Sequence, residues 1–329
     1  MLKIQVLGTG HALPAQKLTN QQLEKIVATS HDWIVERTGI YERRIGDSKT
    51  KTSDMCWQAA GMALENAGVA PEQLDLIIVA SVTPDMLFPS TACIVQEHLG
   101  AWNAAAFDLE AGCTGFIYAL TVAEKFLASG SSNYALIIGG EMLSRITDYE
   151  DRNTCILFGD GAGAAVLGKG PGPSGILNTI IGADGRGSNL LYMPAGGANL
   201  PSSRETVENR LHYIKMNGNE VFRFATRIIA DTSDKILTGA GLTYQDIDLF
   251  IPHQANLRII KTAMKRMRIP AEKTMINIDH FGNMSAASIP VALSLAVEEG
   301  RLKPGDIVLM VGFGAGLTYG GALIRWGKD

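Results

Sequence analysis

At 329 residues, 46% of them hydrophobic and 19% charged, the chain is long and apolar enough for two domains or one large duplicated one. Its longest apolar runs, such as Leu74 to Val82, fall well short of a membrane span, and a formal net charge of −4 speaks against nucleic acid as a partner. The cysteines at 56, 93, 113 and 155 and the histidines at 11, 31, 98, 212, 253 and 280 are too dispersed for a zinc site or a redox pair.

In chain order, Lys3 to Leu7 reads as a strand ended by Gly8-Thr9-Gly10 rather than as a signal peptide, which points to a soluble cytoplasmic protein. Further strands are expected at Leu74 to Ser81, Ala104 to Leu109, Tyr134 to Gly139 and Ala162 to Gly168. Helices are expected at Thr52 to Ala67, Thr91 to Leu99 and Gly115 to Ser129. Apolar strands bounded by glycine and alternating with helices are the pattern of an α/β protein with buried strands. Gly168-Lys169-Gly170-Pro171-Gly172-Pro173 interrupts that pattern and marks a boundary between a half at 1–172 and a half at 173–329.

The second half resembles the first. Ala63 to Ala80 aligns without gaps to Ile236 to His253 at an offset of 173, and the same offset carries Gly139 onto Gly312. Two matches at one offset suggest an internal duplication far too long for a solenoid repeat. The offset also sets Cys113 opposite Ala286, each at the start of a helix that is apolar around most of its circumference. Such helices belong inside a large protein. The expectation is two sheets enclosing a central helical layer, with both helix N-termini facing one centre and Pro290 kinking or reshaping the start of the second helix.

Phe107-Asp108-Leu109-Glu110-Ala111-Gly112-Cys113-Thr114-Gly115-Phe116 reads as a strand turning into a helix with a cysteine at the corner. The helix terminus would favour a thiolate, as a nucleophile requires, but a small buried residue fits the same place. His253, past the end of a buried strand, is either a site residue or a surface one. Asn283, ahead of Ser285-Ala286-Ala287-Ser288, is either a helix cap or a partner of the cysteine. Together the three suit a thiolate that accepts an acyl group, with two side chains steadying negative charge on a second carbonyl. The glycine clusters Gly159 to Gly163 and Gly312 to Gly316 lack the spacing of nucleotide loops; the first reads as tight turns, and the second could bring backbone N–H groups up to a reacting carbonyl oxygen. On the helix from Ala255 to Met267, Arg258, Lys261, Lys265 and Arg268 form a stripe. It suits either a solvated face or the docking of an acidic carrier protein or phosphorylated cofactor.

Asp32-Trp33-Ile34-Val35-Glu36-Arg37-Thr38-Gly39-Ile40, the Ala111 to Phe116 corner, Phe158 to Gly163, His253-Gln254-Ala255-Asn256, Gly282-Asn283 with Ser285 to Ser288, and Gly312 to Thr318 resemble, in order and from end to end, the 3-oxoacyl-[acyl-carrier-protein] synthase III family. The resemblance implies a thiolase-like five-layer αβαβα fold and an acyltransferase that initiates fatty acid synthesis. Such an enzyme condenses an acyl-CoA primer with malonyl-carrier protein, with loss of CO2, through an acyl-cysteine. A related condensing enzyme of secondary metabolism and a thioesterase of the same fold are the alternatives.

Carried over by resemblance, Cys113 is the nucleophile, His253 and Asn283 promote decarboxylation, and the backbone at Cys113 and Ala315 holds the oxyanion. Trp33, Arg37, Arg152, Asn219 and Asn256 would bind coenzyme A, and Phe88 would reach across a homodimer interface to shape the neighbour's acyl pocket. Arg223, Gln254 and Arg258 would meet the acidic carrier protein. No cofactor is implied, because the thioester itself is the electron sink.

Overall fold

The computed structural model describes residues 3–327. Leu76–Ala80 is buried at every position, and its side chains divide by parity. Leu76, Ile78 and Ala80 face one core, Ile77 and Val79 another, as expected of a strand with a helical layer on each side. It pairs in parallel with Ala105–Leu109 on one edge and Tyr134–Met142 on the other. Asp160–Gly170 and Lys3–Ala12 complete this five-stranded sheet in antiparallel sense. The second sheet has four strands, ordered Leu249–Pro252, Ile307–Gly314, Thr318–Arg325 and Gly175–Ala183, with only the first pair parallel.

The helices Gly115–Ala128 and Ser288–Glu298 lie between the sheets. Phe116, Leu120, Ile289 and Leu293 share one core with Ile78 and Ile137 of the first sheet and with Ile251 and Met310 of the second. Thr52–Ala67 and Thr91–Leu99 cover the outer face of the first sheet. Gly218–Ala240 and Leu257–Met267 cover that of the second. The result is five layers, αβαβα.

The offset of 173 carries several elements around the first sheet onto elements around the second. The helices Thr52–Ala67 and Gly218–Ala240 end on left-handed glycines, Gly68 and Gly241. Short 3-10 turns follow at Pro71–Gln73 and Tyr244–Asp246, then the strands Leu76–Ala80 and Leu249–Pro252. The same offset takes the 3-10 turn Gly112–Thr114 onto Ser285–Ala287, each opening directly into a central helix. The two turns meet: a Cβ on Gly115 would lie 3.4 Å from that of Ala286.

Three sequence expectations are corrected. The first strand does not end at Gly8-Thr9-Gly10 but runs through it to Ala12, bulging between Val6 and Gly8. The glycines there admit the Thr52–Ala67 helix, since a Cβ on Gly8 or Gly10 would stand 2.4 or 2.2 Å from a carbonyl oxygen of that helix. Gly159 to Gly163 is likewise not a tight turn. The strand begins at Asp160, and a Cβ on Gly163 would meet the Val291 nitrogen at 2.5 Å. Pro290 falls in the first turn of Ser288–Glu298, where a missing N–H costs little, and the helix runs unbroken through it.

Candidate active site

Gly112, at φ +53°, turns the chain from Ala105–Leu109 into the central helix, and its N–H donates to Glu110 Oε1 at 2.9 Å. Cys113 sits at this corner, 8% exposed. The sequence points to a thiolate favoured by the helix terminus. In the folded site burial dominates and pushes the thiol up to about 12, although the Ser285 hydroxyl and the cysteine's own amide act the other way. Cys113 therefore rests as a thiol at physiological pH.

His253 follows the strand Leu249–Pro252 and is fixed by its N–H, which donates to the Val311 carbonyl at 2.8 Å. The ring stands edge-on to Phe313, 5.4 Å between centroids. Burial lowers its pKa to about 3, so the imidazole is neutral at physiological pH. Asn283 is held on both sides of its backbone, its N–H donating to Leu157 and its carbonyl accepting from Gly159. Its Oδ1 accepts the Ser285 N–H at 2.8 Å.

All three side chains line one cavity of about 600 Å3. Trp33, Arg37, Asn219 and Asn256 line the same cavity. The helix His31–Thr38 that carries Trp33 and Arg37 is capped by Ser30 and ends on left-handed Gly39. A Cβ on Gly39 would strike Leu257 at 2.5 Å, so the glycine also lets the Leu257–Met267 helix close against it. Asn256 caps that second helix through its Oδ1 to Arg258 N–H and donates its Nδ2 to the Arg37 carbonyl at 3.0 Å. Arg152 lies outside the cavity lining but stacks on Trp33, 4.3 Å from its centroid.

The corner and the Gly314 strand end are in backbone contact: a Cβ on Gly112 would come within 2.9 Å of the Ala315 nitrogen. The Ala315 amide nitrogen thus lies against the corner that carries Cys113. A second chamber of about 280 Å3 adjoins Cys113, bounded by Val82, Leu143, Ile146, Phe158 and Ile214 among others.

The remaining expected residues lie elsewhere. Phe88 is 84% exposed beside Leu87 at 83%. Arg223 projects from Gly218–Ala240 and pairs with Glu220 at 2.7 Å, and Arg258 stacks on Phe222 at 5.6 Å. Gln254 is a correction. It is fully buried, its Nε2 donates to the carbonyls of Pro252 and Met275, and its Oε1 accepts from Asn277 N–H. That side chain braces the His253 loop and meets no carrier protein.

Sequence reasoning passed over Glu141, buried beside the corner, and Phe313, against the histidine. A lone carboxylate closing the apolar run Tyr134 to Gly140 was the available signal for the first. Among the described residues no cluster of His, Cys, Asp and Glu is arranged to hold a metal, and no helix is long and apolar enough to cross a membrane.

Residues 107–185 match the family model described as 3-oxoacyl-[acyl-carrier-protein (ACP)] synthase III, and residues 237–326 match its C-terminal counterpart. The chain is similar to a beta-ketoacyl-[acyl-carrier-protein] synthase III of Syntrophomonas wolfei, 69% identical over 100% of this chain and 99% of that protein. A protein of the same description from Natranaerobius thermophilus is 56% identical over 99% of this chain and 100% of its own length. Among solved structures, a 3-oxoacyl-[acyl-carrier-protein] synthase III of Aquifex aeolicus superposes with a TM-score of 0.92 at 46% identity, covering 98% of this chain and 100% of that one.

Proposed function

The chain belongs to the 3-oxoacyl-[acyl-carrier-protein] synthase III family, and on that premise we propose that it condenses an acyl-CoA primer with malonyl-carrier protein, releasing CO2 and coenzyme A, as the opening step of fatty acid synthesis. One observation carries this reading: Cys113, His253 and Asn283 share a single cavity whose walls include Trp33, Arg37 and Asn219.

The Cys113 sulfur attacks the thioester carbon of the primer, a C–S bond forms, and the tetrahedral oxyanion is met by the amides at Cys113 and Ala315. The bond to coenzyme A then breaks. Malonyl-carrier protein takes its place, with its thioester oxygen against neutral His253 and the Asn283 amide. Both act as uncharged donors and lower the barrier to CO2 loss by stabilising the enolate. The enolate carbon attacks the acyl-cysteine, and the 3-oxoacyl product leaves on its carrier. The electron sink throughout is a thioester carbonyl.

Trp33 with Arg152 receives the adenine, Arg37 the phosphate, and Asn219 and Asn256 the pantetheine arm. Exposed Arg223 and Arg258 suit an acidic carrier. The paired exposure of Leu87 and Phe88 suits contact with a second copy of the chain, with Phe88 closing the neighbour's acyl chamber. The chain divides into halves at 1–172 and 173–329, and the protein works in the cytoplasm.

Supplying acetyl-CoA and malonyl-carrier protein tests the reading. Stoichiometric CO2 and a 3-oxoacyl-carrier product are expected, whereas free acid without condensation would make the protein a thioesterase.

A further inference from the structure

The condensation above leaves one buried ionisable group near Cys113 unused. Glu141 is wholly buried. Its Oε2 accepts from Thr83 Oγ1 at 2.6 Å and from Ser81 Oγ at 3.3 Å, Val82 N–H reaches both oxygens, and Oε1 faces the Ala286 N–H at 3.5 Å. The carboxylate therefore abuts the turn Ser285–Ala287, which itself meets the Cys113 corner.

Ser285 opens that turn and lines the same chamber as Cys113. It is a non-glycine residue held at φ +45°, and such an outlier invites a functional explanation. Its hydroxyl oxygen is buried and has no hydrogen-bond partner, a state that calls for an explanation. It acts on two groups, the Cys113 thiol and the Glu141 carboxyl, favouring the ionised form of each. It also borders the apolar chamber beside Cys113.

We propose that the Cys113 proton passes through the Ser285 hydroxyl to Glu141 as the sulfur is acylated, and returns by the same path when condensation frees the sulfur. The inference rests on the reading of Cys113 as the acylated nucleophile. In the first half, S–H breaks as S–C forms, Ser285 takes the thiol proton while giving its own to Glu141, and coenzyme A departs as a thiolate that is protonated by water. In the second half, the enolate displaces the cysteine thiolate, which recovers a proton through Ser285, and Glu141 is ionised again. Overall one proton is taken up per CO2 released.

Energetics favour this acceptor over the neighbouring base. His253 is neutral down to about 3 and so a weak acceptor, whereas burial pushes Glu141 up to about 7. The thiols of Cys56 and Cys113 are the titratable groups coupled to Glu141. Asp85 and Asp108 act on the first and Glu110 on the second, and Asp160 on the adjoining strand is bound by Ser144 and Gly46. The strongest influences on Glu141 besides burial are hydroxyls and amides rather than cations. Glu141 touches no reacting atom and acts by positioning and holding a proton.

The test is the rate of Cys113 acylation by acetyl-CoA, followed by rapid quench and intact mass from pH 5 to 9. In the native protein the rate should rise through a step near pH 7. Glu141→Gln should slow acylation about a hundredfold and abolish the step. Ser285→Gly should do the same while leaving the fold intact, because glycine suits a left-handed position. Should Glu141→Gln fail to fold, Ser285→Gly decides alone. Native-like rates with a native-like step in Ser285→Gly would overturn the relay. A native protein that never acylates Cys113 would instead overturn the condensation reading.

Discussion

A Cβ placed on Gly314 would stand 2.5 Å from the amide nitrogen of Cys113 and 3.0 Å from its Cβ. The backbone of Cys113 is thus pressed against bare main chain at the end of the strand Ile307–Gly314. Gly314→Ala should force the two apart, costing about 1–3 kcal/mol of stability and slowing acylation by about a hundredfold as an oxyanion donor is displaced. Thermal unfolding and the acyl-enzyme mass assay measure both, and an unimpaired acylation rate would remove the Cys113 and Ala315 amides from the mechanism.

Cys113→Ala should take up no acyl group, since the other thiols are badly placed: Cys56 and Cys155 are buried and Cys93 is exposed on an outer helix. Peptide mapping after incubation with radiolabelled acetyl-CoA reads this directly. Label on Cys93 or Cys155 would show that the nucleophile has been misassigned.

Asn283→Ala should separate the half-reactions. Acylation is expected to proceed at the native rate, while CO2 release from malonyl-carrier protein falls about 100- to 1000-fold, the loss typical of one donor at a developing oxyanion. Equal loss in both steps would instead mean that Asn283 serves the corner's structure.

His253 carries a prediction about stability. An unfolded histidine gains a proton below about pH 6.5, whereas the folded one stays neutral down to about 3. In that interval the unfolded chain binds the extra proton. Stability therefore falls as pH drops through it, by about 1.4 kcal/mol per pH unit from this residue. Urea titrations at pH 5 and 7 should show a smaller difference for His253→Gln than for the native protein.

Trp33→Ala should raise KM for the acyl-CoA about tenfold, an aromatic contact's worth, with kcat and the KM for malonyl-carrier protein nearly unchanged. Steady-state kinetics with each substrate varied in turn would check this, and equal effects on both would move Trp33 from the nucleotide site to the shared arm.

The fold and its centre were readable because both rest on local rules. The offset of 173 was visible in Ala63 to Ala80 against Ile236 to His253, and from it followed the opposed turns at Cys113 and Ala286. Contacts between elements distant in sequence were not readable. Gly8, Gly10 and Gly163 looked like turn residues because nothing nearby reveals that a helix crosses over them. Gln254, next to the histidine, looked available to a partner, yet the backbone of Met275 and Asn277 consumes its amide. The thiol state of Cys113 was also hidden, since a terminus favouring thiolate is a local property and burial is a collective one.

Asn256 ties the Leu257–Met267 helix to the Arg37 carbonyl across the cavity wall. Coenzyme A and a carrier protein would present the same pantetheine thread to that wall, so a fixed gauge there admits both and discriminates between neither. On the proposed condensation, selectivity among primers would be exercised deeper, where Leu143, Ile146, Phe158 and Ile214 bound the chamber beside Cys113. Substitutions in that chamber would change which acyl group is chosen, and substitutions at Asn256 would change only how fast any of them arrives.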